Sequence, residues 1–128
     1  MTLNRSWIAA LALALLATSP VIAGGLSPIG QWQVTTGEAR YIVVACGDSK
    51  LCAKLVWLRS DARTSDNLAL LDHYMVKGAI PTGVGKWQGD VTLSGHSYGG
   101  TLTMVSKNFM TLQGCSGFLC QTYEFTRI

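Results

Sequence analysis

Residues 40–58 read RYIVVACGDSKLCAKLVWL, two β-rich runs separated by the turn-forming residues 47–50. Cys46 and Cys52 stand at either end of that turn. If the two cysteines face each other across a hairpin, the numbers of paired residues sum to 98. The stretch therefore predicts a β-hairpin with a defined register and a disulfide bond beside its turn.

The two faces of this hairpin differ in character. One face is wholly apolar and holds these pairs: Ala45 with Ala53, Val43 with Leu55, and Tyr41 with Trp57. The other face carries both charges and holds these pairs: Val44 with Lys54, Ile42 with Val56, and Arg40 with Leu58. Because side chains alternate across a strand, we expect the apolar face to point inward and the charged face to point outward.

The N-terminus has the pattern of a secretory signal peptide. A basic start at Arg5 precedes the unbroken apolar run of residues 7–17, and small residues end the segment at residue 23. The run is too short to span a bilayer comfortably, so we expect cleavage and no stable membrane anchor afterwards. Residues 1–23 are thus predicted to be the signal peptide, and residues 24–128 a single domain that is periplasmic or secreted.

The charge and the cysteine content limit the classes of function that are expected for this chain. Residues 24–128 carry nine Lys or Arg and seven Asp or Glu, scattered without a basic run, so nothing favours nucleic acid as a partner. Four cysteines are an even number, which suits a disulfide-bonded exported protein. Their spacing predicts two local bonds, Cys46–Cys52 and Cys115–Cys120, rather than a zinc site or a redox motif. We expect no metal and no cofactor.

The rest of the chain reads as short strands joined by tight turns. Residues 30–35 are predicted to form the first strand, and residues 60–72 a polar loop with one helical turn capped by Ser65 or Asp66. Further strands are expected over residues 74–80, 86–94, 98–106, 109–113 and 121–128. About eight short strands favour an all-β, antiparallel, up-and-down barrel, because closure leaves no exposed sheet edge.

An ordered set of residues carries a resemblance to a known family. Gly30-x-Trp32 opens the first strand, and Arg127 lies near the end of the last. The set continues with Cys46-Gly47, Leu51-Cys52, Trp57-Leu58, Asp66-Asn67, Tyr98, Cys115, Cys120 and Thr126. It resembles an uncharacterised family of small exported bacterial proteins, a domain of unknown function with a calycin, or lipocalin-like, fold. The resemblance implies a barrel in which Trp32 packs against Arg127 at the floor, and it implies no established activity or catalytic residue.

The segment Gly95-His-Ser-Tyr-Gly99 matches the Gly-x-Ser-x-Gly pattern of serine hydrolases. That motif requires a strand–turn–helix unit and a histidine that follows the serine. Here the flanking residues predict two β-strands, and both His73 and His96 precede Ser97. A hairpin turn is the favoured interpretation, and a small hydrolase acting through Ser97 is the least favoured function.

The barrel interior decides between the remaining functions. An eight-stranded barrel is just wide enough for its own side chains or for one small ligand, so a filled and a hollow interior both stay open. The candidate ligand-binding residues are Tyr41, Val43, Leu55, Trp57, Trp87 and Tyr98. We favour non-catalytic binding of a small hydrophobic or amphipathic ligand, although a fold alone does not establish a function. The alternative is an interaction or structural module of the cell envelope, with a filled barrel that contacts a protein through residues 60–74 or an open rim.

Overall fold

The computed structural model describes residues 26–93 and 95–128. The predicted signal peptide, residues 1–23, lies outside the described residues. Eight strands follow in chain order: β1 (Gly30–Val34), β2 (Ala39–Ala45), β3 (Leu51–Leu58), β4 (Tyr74–Gly83), β5 (Lys86–Leu93), β6 (His96–Ser106), β7 (Phe109–Ser116) and β8 (Leu119–Arg127). Each pairs antiparallel with the next, and β8 pairs with β1 to close the barrel. The predicted all-β, up-and-down barrel is confirmed.

The two ends of the barrel are built differently. At one end, which we call the closed end, lie the segment before β1 and residues 46–50, 84–86, 107–108 and 127–128. At the other end, which we call the mouth, lie residues 35–38, 59–73 and 117–118. The longest of these connections, residues 59–73, contains a 3₁₀ turn (Ser60–Ala62) and helix α1 (Ser65–Leu68). The cap of α1 is Thr64 and not Ser65 or Asp66, because the Thr64 hydroxyl accepts the Asn67 N–H at 3.2 Å.

Trp32 and Arg127 form the closed end as the sequence predicts. The Trp32 side chain is completely buried, and its indole N–H donates to the Pro28 carbonyl at 2.8 Å. The Arg127 guanidinium lies over the indole ring. Gly30 makes room for this arrangement, since a Cβ there would stand 2.6 Å from Arg127 Nη1 and its φ is +138°. The expected packing of this residue pair at the barrel floor is confirmed.

The register of the β2–β3 hairpin differs from the prediction. Paired numbers sum to 96 and not to 98, so Val43 lies opposite Ala53 and Tyr41 lies opposite Leu55. The turn causes the difference: Gly47 and Ser49 both adopt positive φ, and Lys50 N–H donates to the Gly47 carbonyl at 2.7 Å. This tight turn leaves Cys46 opposite Lys50. The side chains near the turn still point to their predicted faces, because a register shift of two in the sum of paired numbers preserves the alternation.

Both predicted disulfides are present, with different placements in their hairpins. Cys46 bonds to Cys52 across a diagonal of the β2–β3 ladder, with Cα atoms 5.8 Å apart. Cys115 bonds to Cys120 directly across the β7–β8 ladder, with Cα atoms 4.0 Å apart. Each bond therefore clamps one hairpin, the first at the closed end and the second at the mouth.

A β-bulge turns Trp57 to the outside of the barrel, and the expectation that it points inward is wrong. The register between β2 and β3 slips by one residue at Arg40 and Tyr41, so Trp57 lies opposite Arg40. The Arg40 guanidinium carbon stands 4.3 Å from the centre of the Trp57 ring. Leu58 takes the inward position instead and is buried. The bulge reverses the alternation for the last residues of β3, and the predicted outward orientation of Arg40 holds.

Three glycines lie side by side in the adjacent strands β5, β6 and β7. Gly89 on β5 lies opposite Gly100 on β6, which lies opposite Gly114 on β7. A Cβ on Gly89 would meet the Ala79 Cα at 2.8 Å, and a Cβ on Gly100 would meet Val91 Cγ2 at 2.5 Å. Neighbouring residues therefore fill the space that side chains would need at Gly89 and Gly100, whereas a Cβ on Gly114 would meet nothing within 4 Å.

Candidate functional site

The barrel is hollow on the side of the mouth. A cavity of about 390 Å³ lies between the closed end and residues 59–73. Apolar side chains from all eight strands line it, and Leu70 of the connection between β3 and β4 adds to the wall. The exposed residues Thr36 and Glu38 also belong to the lining, so the cavity reaches the surface at the mouth. Its volume falls in the range of about 300–1,000 Å³ that is typical of small-molecule sites.

The structure brings three of the six candidate residues to this cavity. Tyr41, Val43 and Leu55 line it, as their inward orientation predicts. Trp57 does not, because the bulge places it on the outer surface.

The other two candidates, Trp87 and Tyr98, lie on the neighbouring strands β5 and β6. Trp87 lines a separate void of about 10 Å³ beside the glycine row, which is too small for more than about one water molecule. Tyr98 lies opposite Val91 on β6, is half-buried and borders neither space.

Several lining residues were not predicted from the sequence. Met75 and Met110 are buried in the wall, and Phe125 stands edge-on to Tyr41 with ring centres 5.6 Å apart. The alternation of β7 and β8 contained a signal for Met110 and Phe125, since both fall on the apolar face of their strands. Nothing in the local pattern indicates that Leu70, in a polar connection, would join the same wall.

Tyr41 supplies a polar group inside the apolar part of the cavity. Burial raises the pKa of its phenol, and the nearby Tyr123 adds a smaller effect in the same direction. The hydroxyl is therefore neutral at physiological pH and able to donate a hydrogen bond. Among the described residues it has no side-chain hydrogen-bond partner, whereas the Tyr123 hydroxyl donates to Gln121 Oε1 at 2.7 Å. A bound molecule in the cavity would find one free polar contact there.

The other polar side chains of the lining are the Tyr123 phenol and, at the mouth, Thr36, Glu38 and Asn67. Asn67 is fixed in place, because its side-chain amide donates to the Ala62 carbonyl at 2.8 Å. Glu38 is the one charged side chain in the lining formed by the described residues.

An ion pair stands beside these residues. Arg59 donates to both carboxylate oxygens of Asp61, at 2.6 and 2.9 Å, and this hydrogen bonding holds the pKa of Asp61 below its usual range. The charge of Arg59 is thereby engaged by Asp61.

The residues considered for other chemistry lie apart from the cavity. Ser97 sits on β6 opposite Thr92, inside a β-hairpin and without the strand–turn–helix unit of a nucleophile elbow. Within residues 26–93 and 95–128, no group of three or more His, Cys, Asp or Glu side chains has the geometry to hold a metal ion. In the same residues, no helix has both the length and the apolar character needed to cross a bilayer.

Comparison with known proteins shows a family model that matches the barrel. The family model described as "Uncharacterized protein conserved in bacteria (DUF2147)" matches residues 30–127, which run from the first residue of β1 to the last of β8. No curated protein and no solved structure matches the chain. The match covers the whole barrel, including both disulfides and the Trp32–Arg127 pair.

Proposed function

We propose that this chain, which belongs to the bacterial family DUF2147, is an exported binding protein. Its ligand is a small hydrophobic or amphipathic molecule that lies inside the barrel. The cavity of about 390 Å³ carries this proposal. Its wall is mostly apolar, with a few polar groups at Tyr41 and at the mouth, which is the usual composition of a small-molecule site. The resemblance to calycins supports the same function by analogy only.

The proposed location outside the cytoplasm rests on two features. Both disulfides are of the kind that persists in oxidising compartments. The N-terminal residues 1–23 have the composition of a signal peptide.

A matched pair of variants tests whether the cavity binds ligand. Leu93→Trp places a large ring on a residue that lines the cavity, whereas Val105→Trp places the same ring on an outer position that is 58% exposed. We expect the neutral fluorescent probe N-phenyl-1-naphthylamine to bind the wild-type protein and the Val105→Trp variant equally. The Leu93→Trp variant should lose at least about tenfold in affinity, because the ring occupies the volume that the probe needs.

Thermal melts of the same proteins separate lost binding from lost folding. A ring that fills an existing cavity adds contacts, so Leu93→Trp should keep a melting temperature close to that of the wild type. If the wild-type protein does not bind the probe, or if Leu93→Trp binds it as well as Val105→Trp does, the proposed function is wrong.

One observation favours the alternative, an interaction module of the cell envelope. Phe118 and Leu119 form an apolar tip on the β7–β8 hairpin at the mouth and are 94% and 70% exposed. The Cys115–Cys120 bond clamps the base of that tip. Exposed apolar groups of this kind can mark a contact with another protein. Native mass spectrometry of the protein purified from its own cells distinguishes the two functions, since it would detect either a bound small molecule or a bound protein.

A further inference from the structure

The charges of the barrel are divided between its two ends. At the mouth, residues 35–38 and 59–73 carry four acidic and two basic side chains. At the closed end, residues 46–50, 84–86, 107–108 and 127–128 carry four basic and one acidic side chain. A cation that approaches the mouth therefore meets a favourable potential, and an anion meets an unfavourable one.

Glu38 places one of the acidic side chains of the mouth at the cavity itself. Its side chain is exposed and belongs to the lining of the cavity at the mouth. Arg59 lies beside it, since the Arg59 backbone N–H donates to the Glu38 carbonyl at 2.8 Å, and the pKa of the Arg59 guanidinium is raised mainly by its hydrogen bond to Asp61 and to a smaller extent by the Glu38 charge. The Arg59 guanidinium is already engaged by both oxygens of Asp61. Within the described residues Glu38 forms no salt bridge of its own, so its charge stays available to a ligand.

The interior wall of the cavity determines the chemistry of the part of the ligand that lies inside the barrel. Below the mouth the lining is apolar apart from two phenols, and no charged side chain of the described residues belongs to it. A charged group placed there would lose its hydration without gaining a partner, which is costly. The apolar part of a ligand therefore belongs in the barrel, and a charged head group belongs at the mouth beside Glu38, Thr36 and Asn67.

We infer that the cavity selects amphiphiles with a cationic head group, such as an amine or a quaternary ammonium, over those with a carboxylate, and that Glu38 is the selecting residue. This inference rests on the proposed function, because it concerns the occupant of the same cavity. The alkyl chain fills the space between Tyr41 and Leu93, and the cation stays at the mouth near the Glu38 carboxylate. An anionic head group of the same size is repelled from that position.

Three ligands with the same ten-carbon chain test the inference: decylamine, decanol and decanoate. The affinity of each ligand is measured by its displacement of bound N-phenyl-1-naphthylamine at about pH 7.5, with the ligand below its own micelle concentration. The ionic strength is about 0.01 M, where screening of charges is weak. We expect decylamine to bind about threefold more tightly than decanol, and decanoate about threefold more weakly, as for one exposed charge pair. At about 1 M salt the three affinities should converge.

Two variants assign the effect to Glu38. Glu38→Gln keeps the size of the side chain and removes its charge, so most of the difference between the amine and the carboxylate should disappear. Glu124→Gln is the control, because Glu124 is an exposed residue of β8 outside the lining and its replacement raises the net charge by the same one unit as Glu38→Gln. It should leave the order of the three ligands unchanged.

The outcomes separate this inference from the proposed function. Equal affinities of the three ligands, tightest binding of decanoate, or an undiminished preference in Glu38→Gln would overturn the inference and leave ligand binding intact. If the wild-type protein binds neither the probe nor any of the three ligands, the proposed function fails and the inference fails with it.

Discussion

The Arg127 guanidinium carbon lies 4.3 Å from the centre of the Trp32 ring and joins the last strand of the barrel to the first. The same guanidinium donates to three backbone carbonyls, those of Ser27, Ile29 and Lys107, at 2.7 to 3.0 Å. The paired part of the β1–β8 seam is short, and these bonds connect it to the segment before β1 and to the β6–β7 turn. Arg127 thus ties together three parts of the chain at the closed end.

Replacing Arg127 should cost more than replacing an arginine with a similar aromatic contact. Arg40 stands at the same 4.3 Å from the Trp57 ring, but on the outer surface and with one side-chain hydrogen bond, to Gln33. We expect Arg127→Ala to lower the free energy of unfolding by about 2 kcal/mol, because three carbonyls lose a charged donor. Arg40→Ala should lower it by less than about 1 kcal/mol. Urea unfolding measures both values, and equal losses would contradict the role given to Arg127.

The bulge in β3 makes opposite predictions for two residues of the hairpin. Leu55 is buried in the wall of the cavity, so Leu55→Ala should lower the free energy of unfolding by about 2–3 kcal/mol. Trp57→Ala should cost only about 1 kcal/mol, since the residue is half-buried on the outside against Arg40. Probe affinity should be unchanged in Trp57→Ala. A loss of binding in that variant would mean that Trp57 faces the ligand after all.

Neighbouring glycines of β6 should respond differently to a methyl group. In Gly100→Ala the new Cβ would lie 2.5 Å from Val91 Cγ2 and 3.2 Å from the Gly89 carbonyl oxygen. We expect this variant to lose about 1–3 kcal/mol of stability through overpacking. In Gly99→Ala the Cβ would meet nothing within 4 Å, so its stability should stay within about 0.5 kcal/mol of the wild type. Urea unfolding measures both variants, and equal stability would refute the tight packing around Gly100.

The raised pKa of Tyr41 predicts how stability changes at high pH. The folded protein holds the phenol proton more tightly than the unfolded chain, whose tyrosines titrate near pH 10. The contribution of this group is therefore complete below about pH 10 and is lost as pH rises through the folded-state pKa. Tyr41→Phe should remove this part of the decline above about pH 10. Tyr98→Phe, at a residue outside the cavity lining, should not change it, and a similar decline in all three proteins would contradict the prediction.

Local features of the chain were enough to predict the type of fold. Alternation along residues 40–45, the turn residues between the strands, and the positions of the four cysteines all act over a few residues. They predicted the eight-stranded barrel and both disulfides correctly. The Trp32–Arg127 contact was also predicted, though from the family resemblance and not from the local pattern.

The details of the hairpin were beyond a local pattern. A disulfide can join a direct or a diagonal pair, so the cysteine positions alone did not distinguish a register that sums to 98 from one that sums to 96. The bulge in β3, opposite Arg40 and Tyr41, then reversed the face of Trp57. Both features depend on which backbone groups pair between two strands, and no single strand carries that information.

The hollow interior and its chemistry were decided only by the tertiary structure. Whether eight strands leave a cavity depends on how the side chains of all eight, from Val34 to Phe125, meet in one volume. The placement of Glu38 and Asn67 at the mouth depends on two connections that are remote in sequence and adjacent in space. The chain by itself specified a barrel, through short-range alternation and turns. The volume of its cavity and the charge at its mouth depend on contacts between segments that are distant in sequence, and these contacts form only when the whole chain packs together.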